Sequence, residues 1–438
     1  MRRTVILRKN RKEEPPLTPT ELILTCAGGI EPILEAELVA AGYSVDRHGP
    51  GAVHVQSAIA AVPDLCASLR TASRLLVPVD RIPVRDYDDL YRGLKRIPWE
   101  RIIPTNCTFA IAASTRSSTM RDHRFLAMRA KDAIVDLQRD RTGGKRSSID
   151  RDHPVFPVVI HLDRNDTLEV SLDAAGAPLH ERGYRTEAGD APLRETVAAA
   201  IVLQSGYDRA VDRGSAPVLV DPFCGSGTIA IEAALIAARR SPQPEKRRYA
   251  WQRWPWFGGS SRDKDASRDA GVIGEEGHSH DPATPRIFAS DRDDAVVEKA
   301  RRNARRAGVE DLITFSTGDF RDRLRELTEE TRGWTGAASA DESRTDESRT
   351  SGTPPMLVLA NPPYGERLDD TDLDQLYRDL GDTLKESIPG GSAWILCSEK
   401  SLMQNTRLSA ARRVPMYNGG LECRLYRLDI RADGRADG

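Results

Sequence analysis

The second half of the chain alternates short, unbroken apolar runs with longer amphipathic stretches. An apolar run with no polar break is typical of a strand buried on both faces of a parallel sheet. From about residue 190, strands of this kind are predicted at residues 218–220, 287–289, 313–315, 356–360 and 393–397. Two more, at 413–416 and 422–430, are joined through Asn418-Gly419-Gly420, which is a hairpin signal. The pattern predicts an α/β fold with a doubly wound, mostly parallel sheet that ends in an antiparallel hairpin.

The first half of the chain predicts two smaller α/β units. In the first unit, residues 22–24 form a strand, a helix ends at Gly42, and residues 53–55 form a half-buried strand. The second unit, from about residue 76 to 175, is expected to contain a strand at 109–112, a helix at 121–138, and a hairpin of 158–160 with 168–172.

Composition narrows the function classes. A chain of 438 residues, 39% hydrophobic and 30% charged, is ordinary for a globular protein of two or three domains. The formal net charge of −2 excludes a uniformly basic nucleic-acid binder, so phosphate contacts must come from local patches. The six cysteines form no Cys-x-x-Cys pair, which predicts a reduced, cytoplasmic setting and no bound metal. No apolar stretch approaches the roughly 18 residues of a membrane span, and a monomer is expected.

Four segments are predicted to lie outside the packed domains. Residues 1–19 are basic and then proline-rich, and residues 431–438 repeat Arg-Ala-Asp-Gly. Residues 258–284 are rich in small and polar residues, and residues 331–354 contain a tandem Asp-Glu-Ser-Arg-Thr repeat. Such segments carry too little apolar surface to form a core, so we expect two disordered tails and two loose insertions.

A rigid tetrapeptide, Asn361-Pro362-Pro363-Tyr364, directly follows the predicted strand at 356–360. Open parallel sheets bind ligands outside the carboxyl ends of their strands. Neither proline has an N–H, so the carbonyls of Asn361 and Pro362 are fixed in direction without a competing donor. The amide and carbonyl oxygens suit a planar group that bears an NH2, and the Tyr364 ring offers a surface on which that group could stack.

A glycine-rich loop follows the first predicted strand of the large sheet and opens a helix. Its sequence is Asp221-Pro222-Phe223-Cys224-Gly225-Ser226-Gly227-Thr228. No lysine precedes Thr228, which disfavours a P-loop and ATP. The spacing of Gly225, Gly227 and Ala230 permits a dinucleotide. S-adenosylmethionine is favoured, because the Asp221 carboxylate would attract a cationic amino-acid moiety and repel a pyrophosphate.

Two more carboxylates follow the next strands. Asp291 is placed to accept both hydroxyls of a ribose, with Asp293 as the alternative acceptor. Asp319 is placed to accept a hydrogen bond from an adenine amino group, or to cap the following helix. Neither residue separates a dinucleotide from S-adenosylmethionine.

The tetrapeptide decides between these cofactors, because hydride transfer has no use for it. The lone pair of a nucleobase or amide nitrogen is delocalised, which makes the nitrogen a poor nucleophile. Two acceptors on its hydrogens would pull the nitrogen toward tetrahedral geometry and hold it in line with a methyl–sulfur bond. The sequence therefore predicts methylation of an exocyclic amino group.

The chain resembles the THUMP-domain class I RNA methyltransferases over residues 20–430, and within them the bacterial enzymes that methylate guanine N2 of 23S ribosomal RNA. The resemblance rests on the glycine-rich loop, on Asn361-Pro362-Pro363-Tyr364-Gly365-Glu366-Arg367, on Leu179-His180-Glu181-Arg182-Gly183-Tyr184-Arg185, and on Tyr417-Asn418-Gly419. It implies a ferredoxin-like domain at 20–75, a THUMP RNA-binding domain at 76–175, and a Rossmann-like class I methyltransferase domain at 176–430. Its sheet would have seven strands.

The resemblance also implies roles for residues outside these motifs. Pro192, Glu195 and Thr196 would lie over the cofactor. A set of basic residues would position RNA phosphates, although a solvated helix face with internal ion pairs remains the alternative: Arg121, Arg124, Arg129, Lys145 and Arg146. Three tryptophans, Trp251, Trp254 and Trp256, either stack on unpaired bases or pack on the catalytic domain.

The leading hypothesis is a transferase in ribosomal RNA processing that methylates guanine N2 of 23S ribosomal RNA with S-adenosylmethionine. Adenine N6 or a transfer-RNA guanine remains open, because these bases also present an exocyclic NH2. Methylation of a protein glutamine amide is a third possibility, since enzymes of that kind share an Asn-Pro-Pro-Tyr motif. A non-enzymatic RNA-binding assembly factor is the alternative from a different class.

Overall fold

The computed structural model describes residues 17–185, 193–257, 286–332, 356–364 and 370–431. These residues form two compact units. The first unit comprises the described parts of Met1–Cys26, Leu34–Leu179 and Glu245–Val272. The second comprises those of Ala27–Ile33, His180–Pro244 and Ile273–Gly438. The predicted insertion 258–284 and nearly all of 331–354 lie outside the described residues.

The first unit is built on an eight-stranded sheet. Its strands are β1 (Glu21–Thr25), β2 (Ser44–Gly49), β3 (Ala52–Gln56), β4 (Arg74–Pro83), β5 (Thr108–Thr115), β6 (Ser148–Ile149), β7 (Phe156–Leu162) and β8 (Thr167–Asp173). The helices are α1 (Glu31–Ala40), α2 (Val62–Ser68), α3 (Tyr87–Leu94), α4 (Trp99–Ile102) and α5 (His123–Arg141). The strand order is β2-β3-β1-β4-β8-β7-β5-β6.

Strand β4 joins the two small α/β units that the sequence predicts. It pairs antiparallel with β1 on one side and with β8 on the other, so a single sheet runs across the predicted boundary at residue 75. One hydrophobic core accompanies this sheet, and it includes Leu17, which the sequence assigned to a disordered tail. The two small α/β units predicted from the sequence are therefore continuous with each other in their hydrogen bonding and in their core.

Local chemistry explains the two elements of this unit that the sequence predicted most clearly. The Asp122 carboxylate accepts hydrogen bonds from the backbone N–H groups of Arg124 and Phe125 and so begins α5 as an N-cap. Strands β7 and β8 pair antiparallel, as predicted. In their turn, the Asp163 carboxylate accepts from the N–H groups of Asn165 and Thr167.

The tryptophan segment packs into the core of the first unit, not on the catalytic domain. Trp254 is 2% exposed, its ring stacks on Phe156 at 5.8 Å, and its indole N–H donates to the Val155 carbonyl at 3.0 Å. The Trp256 indole donates to the Ile102 carbonyl at 2.8 Å. The sequence was right that these tryptophans pack against the protein, but it named the catalytic domain as the partner. The pattern of arginines and aromatic residues does not identify which core a segment joins.

The second unit carries the large sheet. Its strands are β9 (Val218–Asp221), β10 (Ile287–Asp291), β11 (Ile313–Thr317), β12 (Met356–Ala360), β13 (Ser392–Cys397), β14 (Ala410–Asn418) and β15 (Leu421–Asp429). The helices are α6 (Glu195–Ser205), α7 (Tyr207–Asp212), α8 (Thr228–Ala237), α9 (Asp294–Arg306), α10 (Phe320–Thr331), α11 (Asp370–Ser387) and α12 (Lys400–Asn405). Helix α10 thus includes the first residue of the predicted insertion 331–354.

The topology of this sheet confirms the predicted fold class. The strand order is β11-β10-β9-β12-β13-β15-β14, and β15 pairs antiparallel with both of its neighbours. Strand β12 is buried at all five positions, as its unbroken apolar sequence predicted. The order reverses at β9, between β10 and β12, which is the switch point where such sheets bind ligands. No helix in the described part of the chain is long and apolar enough to span a bilayer.

The packing of Trp254 yields a stability prediction. Trp254→Ala should lower the unfolding free energy of the first unit by about 3–5 kcal/mol, because it leaves a cavity beside Phe156 and removes the bond to Val155. Hydrogen exchange followed by mass spectrometry should show faster exchange in β5, β7 and β8 and unchanged exchange in β9 and β12. The control is Arg248→Ala, at an exposed position of the same segment. Unchanged exchange in β7 would contradict this packing.

Candidate active site

Three polar side chains come together at the switch point of the large sheet. Asp221 ends β9, Asp291 ends the neighbouring β10, and Asn361 directly follows β12 on the other side. The parallel register pairs Asp221 with Ala289, and Val220 with Val358. The carboxyl ends of the three strands therefore meet at one edge, as the sequence predicted for its candidate residues.

The glycine-rich loop between β9 and α8 needs glycine at two positions. Gly225 has φ of 52° and Gly227 has φ of 83°, in the left-handed region that favours glycine. At Gly227 an added Cβ would also lie 3.0 Å from the Ala300 side chain of α9. The loop therefore passes close to α9 and leaves Thr228 as the first residue of α8.

Hydrogen bonds from β10 and α9 fix this loop. The Asp291 carboxylate accepts from the Gly225 N–H at 3.1 Å, and the Ser290 carbonyl accepts from the Cys224 N–H at 2.9 Å. From α9, the Asn303 amide donates to the Ser226 carbonyl at 3.0 Å. Asp291 thus holds the loop whether or not it also binds a ribose, and its ribose role stays a prediction.

Sequence reasoning missed Asn303, although a signal was present. Asn303 is fully buried on the face of α9 that also carries Val297, Ala300 and Ala304. An amide within an apolar helical stripe requires a hydrogen-bond partner. The side-chain oxygen of Asn303 accepts a hydrogen bond from the Arg306 guanidinium at 3.0 Å, which orients the side-chain NH2 toward the loop.

Asp221 is the most perturbed carboxyl group of the site. It is 1% exposed, and neither carboxylate oxygen has a hydrogen-bond partner among the described residues. Burial, with a smaller contribution from the negative charge of Asp291, raises the pKa of Asp221 to about 8, and the nearby Phe223 backbone N–H offsets only part of this shift. An ionised carboxylate in this position calls for a cation, and the ammonium group of a methionine moiety would supply one.

The segment before α6 is held by buried ion pairs. Arg182 and Glu232 of α8 pair at 3.0 Å with both side chains fully buried, and the Tyr184 hydroxyl donates to Glu232 at 3.1 Å. Arg185 pairs with Glu195 at 2.9 Å. This segment carries the motif that the family resemblance used, and these contacts fix it against α6 and α8.

The residues predicted to lie over the cofactor fall only partly within the part of the chain that the structure describes. Glu195 and Thr196 are buried in the first turn of α6, and Pro192 lies outside the described residues. Burial raises the pKa of Glu195, and the nearby Arg185 guanidinium opposes that shift. The cofactor-covering roles of these residues stay predictions, and the pair with Arg185 gives Glu195 a structural role in addition.

Asp319 caps α10, which was the alternative to its cofactor role. Its carboxylate accepts from the Arg321 backbone N–H, and both of its oxygens are 2.7 Å from the Arg321 guanidinium. The Arg321 hydrogen bonds lower the pKa of Asp319. Phe223 of the glycine-rich loop packs on Phe320 in the same turn at 4.9 Å. The hydrogen bond from an adenine amino group to Asp319 stays a prediction.

The tetrapeptide after β12 is held by contacts from α11 and β15. The Tyr377 hydroxyl of α11 donates to the Pro363 carbonyl at 3.4 Å, and the Cys423 thiol of β15 lies 3.9 Å from the Tyr364 hydroxyl. The Asn361 side-chain oxygen is buried and has no partner in the described part of the chain. A buried acceptor without a donor is costly, so this oxygen is suited to an incoming N–H.

The predicted RNA-binding residues lie on and after α5 in the first unit, and they differ in their availability. Arg121, Arg124, Lys145 and Arg146 are exposed, although Arg121 donates to the Ser118 carbonyl and Arg146 to the Ser147 carbonyl. Arg129 is less exposed, pairs with Asp88 at 2.9 Å and lies 4.7 Å over the Tyr91 ring. The ion pair of Arg129 therefore joins α5 to α3 and is not an i,i+4 pair along α5, and an RNA role for this set stays a prediction.

The Asp221 environment predicts coupled proton release. At pH 7 the free protein should hold Asp221 mostly protonated, because its pKa is about 8. A bound cation lowers that pKa, so S-adenosylhomocysteine should release close to one proton as it binds. Calorimetry in buffers of different ionisation enthalpy measures this number. Asp221→Asn should reduce it to near zero, and equal release by the variant and the wild type would contradict the assignment.

The contact of Asn303 with the loop predicts a loss of cofactor affinity. Asn303→Ala should weaken S-adenosylhomocysteine binding by about fivefold to tenfold, because the Ser226 carbonyl loses its donor. Asn405→Ala is the matched control, since Asn405 donates one side-chain hydrogen bond to Asp374 in the same unit. Equal affinities of the two variants would show that Asn303 does not position the loop.

Comparison with known proteins agrees with this architecture. Three protein families match this sequence. The RMKL-like methyltransferase domain family matches residues 182–333 and 346–427, the THUMP domain family matches 84–173, and the RlmL ferredoxin-like domain family matches 21–76. The ribosomal RNA large subunit methyltransferase K/L of Syntrophotalea carbinolica is 34% identical over 417 residues, covering 94% of this chain and 54% of that protein. That of Pseudomonas paraeruginosa is 32% identical over 94% of this chain and 53% of its own length. The chain thus spans about half the length of the curated relatives it matches.

Solved structures show the same fold. SMU.472, a putative methyltransferase complexed with SAH, has a TM-score of 0.75 and 27% identity, covering 95% of this chain and 99% of its own. TrmN from Thermus thermophilus has a TM-score of 0.61 at 20% identity over 94% and 99% of the two chains, and it shows the fold alone. The glycine-rich loop and the tetrapeptide thus lie within a recognised catalytic domain, and this chain belongs to the RMKL-like methyltransferase family.

Proposed function

We propose that this chain methylates the N2 amino group of guanine in 23S ribosomal RNA with S-adenosylmethionine as methyl donor. The observation that carries the proposal is the Asn361 side-chain oxygen at the carboxyl end of β12, which is buried and has no partner among the described residues, beside the strand that ends in Asp221. A THUMP domain supports RNA as the substrate. The relatives named as large-subunit ribosomal RNA methyltransferases support the kind of RNA.

The residues at the switch point fit S-adenosylmethionine. The desolvated Asp221 carboxylate suits its ammonium group, and the two glycines let the backbone approach it closely. The family match and the solved relative with bound SAH confirm the predicted cofactor. When bound, the cofactor supplies an electrophilic methyl group on a sulfonium sulfur.

The chain's own contribution to the reaction is orientation and charge placement. The Asn361 side-chain oxygen and the Pro362 carbonyl would accept the two hydrogens of the base amino group, which localises the nitrogen lone pair and aims it at the methyl carbon. Tyr364 would stack on the base after it leaves the helix stack. The C–N bond forms as the C–S bond breaks, and the nitrogen becomes acidic. It then loses its proton to water, so no strong base is needed.

The alternatives differ in the owner of the amine. Adenine N6 and transfer-RNA guanine N2 present the same NH2 to the same acceptors. A glutamine amide would fit these acceptors too, but the THUMP match favours RNA over protein. A non-enzymatic assembly factor would have no need of the buried Asn361 acceptor or of the Asp221 carboxylate.

The proposal predicts RNA methylation that depends on Asn361. The protein, labelled S-adenosylmethionine and an unmodified 23S transcript should give label in RNA. Asn361→Ala should lower kcat about 100-fold or more with little change in cofactor affinity, since it removes an oriented acceptor. Asn361→Asp keeps an acceptor and should retain more activity than Asn361→Ala.

Asn106→Ala, at an exposed position, is the matched asparagine control. Label in protein and none in RNA would overturn the RNA proposal. An unchanged kcat for Asn361→Ala would overturn the mechanism while leaving the activity in place.

A further inference from the structure

The tip of the β14–β15 hairpin projects beyond the catalytic edge of the large sheet. Strand β15 pairs with β13 as far as Cys397 and Arg424, where β13 ends. The hairpin continues with three more pairs, the last joining Asn418 to Leu421. Because β14 and β13 both run antiparallel to β15, they point the same way, and the tip lies at the carboxyl edge where the candidate site is.

Two contacts anchor this tip to the candidate site. The Cys423 thiol lies 3.9 Å from the Tyr364 hydroxyl of the tetrapeptide. The Asn418 side-chain oxygen accepts from the Arg194 backbone N–H at 3.1 Å, directly before Glu195. The tip therefore touches both the predicted substrate pocket and the segment predicted to cover the cofactor.

The tip presents a supported aromatic ring. A Cβ added to Gly28 would lie 3.0 Å from the Tyr417 ring, so the glycine permits close packing. The Tyr417 N–H donates to the Gly28 carbonyl at 3.0 Å, and its hydroxyl is 3.3 Å from the Glu422 carboxylate. Tyr417 nevertheless remains 37% exposed, on the same face of the hairpin as its cross-strand partner Glu422. The ring is held in place and keeps an open surface.

The charge of the hairpin favours RNA as the occupant of that surface. The exposed charged residues of β14 and β15 are Arg412, Arg413, Glu422, Arg424, Arg427 and Asp429. Arg424 pairs with Glu422 at 3.6 Å and Arg427 pairs with Asp429 at 2.8 Å, so the excess positive charge of the hairpin comes from Arg412 and Arg413 near the start of β14, while the whole chain is slightly acidic. A basic strand pair that ends in an exposed ring suits a nucleotide segment, since phosphates meet arginines and a base meets the ring.

We propose that Tyr417 stacks on the nucleobase next to the target nucleotide, so that the Tyr417 face of the hairpin tip forms one wall of the RNA site. This inference rests on the proposed RNA methylation and assigns part of its substrate recognition to the tip. A stacked neighbour holds the strand while the target base turns into the Asn361 pocket. Tyr417 is thus a substrate-binding residue that makes no contact with the reacting atoms.

The test compares Tyr417→Ala, Tyr417→Phe and the control Val39→Ala on the unmodified 23S transcript. Tyr417→Ala should raise the KM for RNA at least fivefold, since base–aromatic stacking is worth about 1–3 kcal/mol, whereas Tyr417→Phe should stay within about twofold. Val39 is 58% exposed on α1, so its replacement removes an exposed apolar side chain without touching the tip. Affinity for S-adenosylhomocysteine should be unchanged in all three.

The outcomes separate the two proposals. A wild-type protein that methylates RNA, together with a Tyr417→Ala variant of unchanged KM, would overturn the stacking role alone. A parallel loss of cofactor affinity in Tyr417→Ala would also overturn it, because the effect would then be structural. A wild-type protein that methylates no RNA would overturn the proposed function, and the stacking role with it.

Discussion

The structure of the site depends on one buried carboxylate. Asp221 ends β9 at the switch point of the sheet, and no donor among the described residues satisfies its oxygens. Its pKa of about 8 means that the native protein binds more protons than the unfolded chain between pH ~4 and ~8. The unfolding free energy therefore falls as pH rises through that window. A bound cation offsets the free-energy cost of ionising the buried Asp221, so the arrangement favours a cationic ligand.

The backbone segments around Asp221 are held in place by side-chain hydrogen bonds from the neighbouring elements. Asn303 and Asp291 fix the glycine-rich loop from α9 and β10. Across the strand end, two prolines and the Tyr377 hydroxyl fix the carbonyls after Asn361. Preorganised acceptors need no rearrangement during the reaction, which is how such a site accelerates an otherwise slow nucleophile.

The parts of the fold that sequence could predict are those with strong local signals. Unbroken apolar runs such as Met356–Ala360 identified the parallel strands, and Asn418-Gly419-Gly420 identified the hairpin. Strands β2 and β4 were missed, because polar residues and prolines dilute their alternation. The partner of Trp254 was wrong, because packing between segments 99 residues apart leaves no local trace. Asn303 was missed although its place in an apolar helical stripe was a signal, and the projection of the hairpin tip became visible only from the strand register.

The central claim is that the Asn361 pocket receives a guanine amino group of RNA. The acceptors themselves do not distinguish guanine from adenine, so the product must be identified chemically. The most direct measurement is mass spectrometry of nucleosides from a 23S transcript treated with this protein and S-adenosylmethionine. The account predicts N2-methylguanosine in the treated RNA. N6-methyladenosine in its place, or no methylated nucleoside at all, would contradict it.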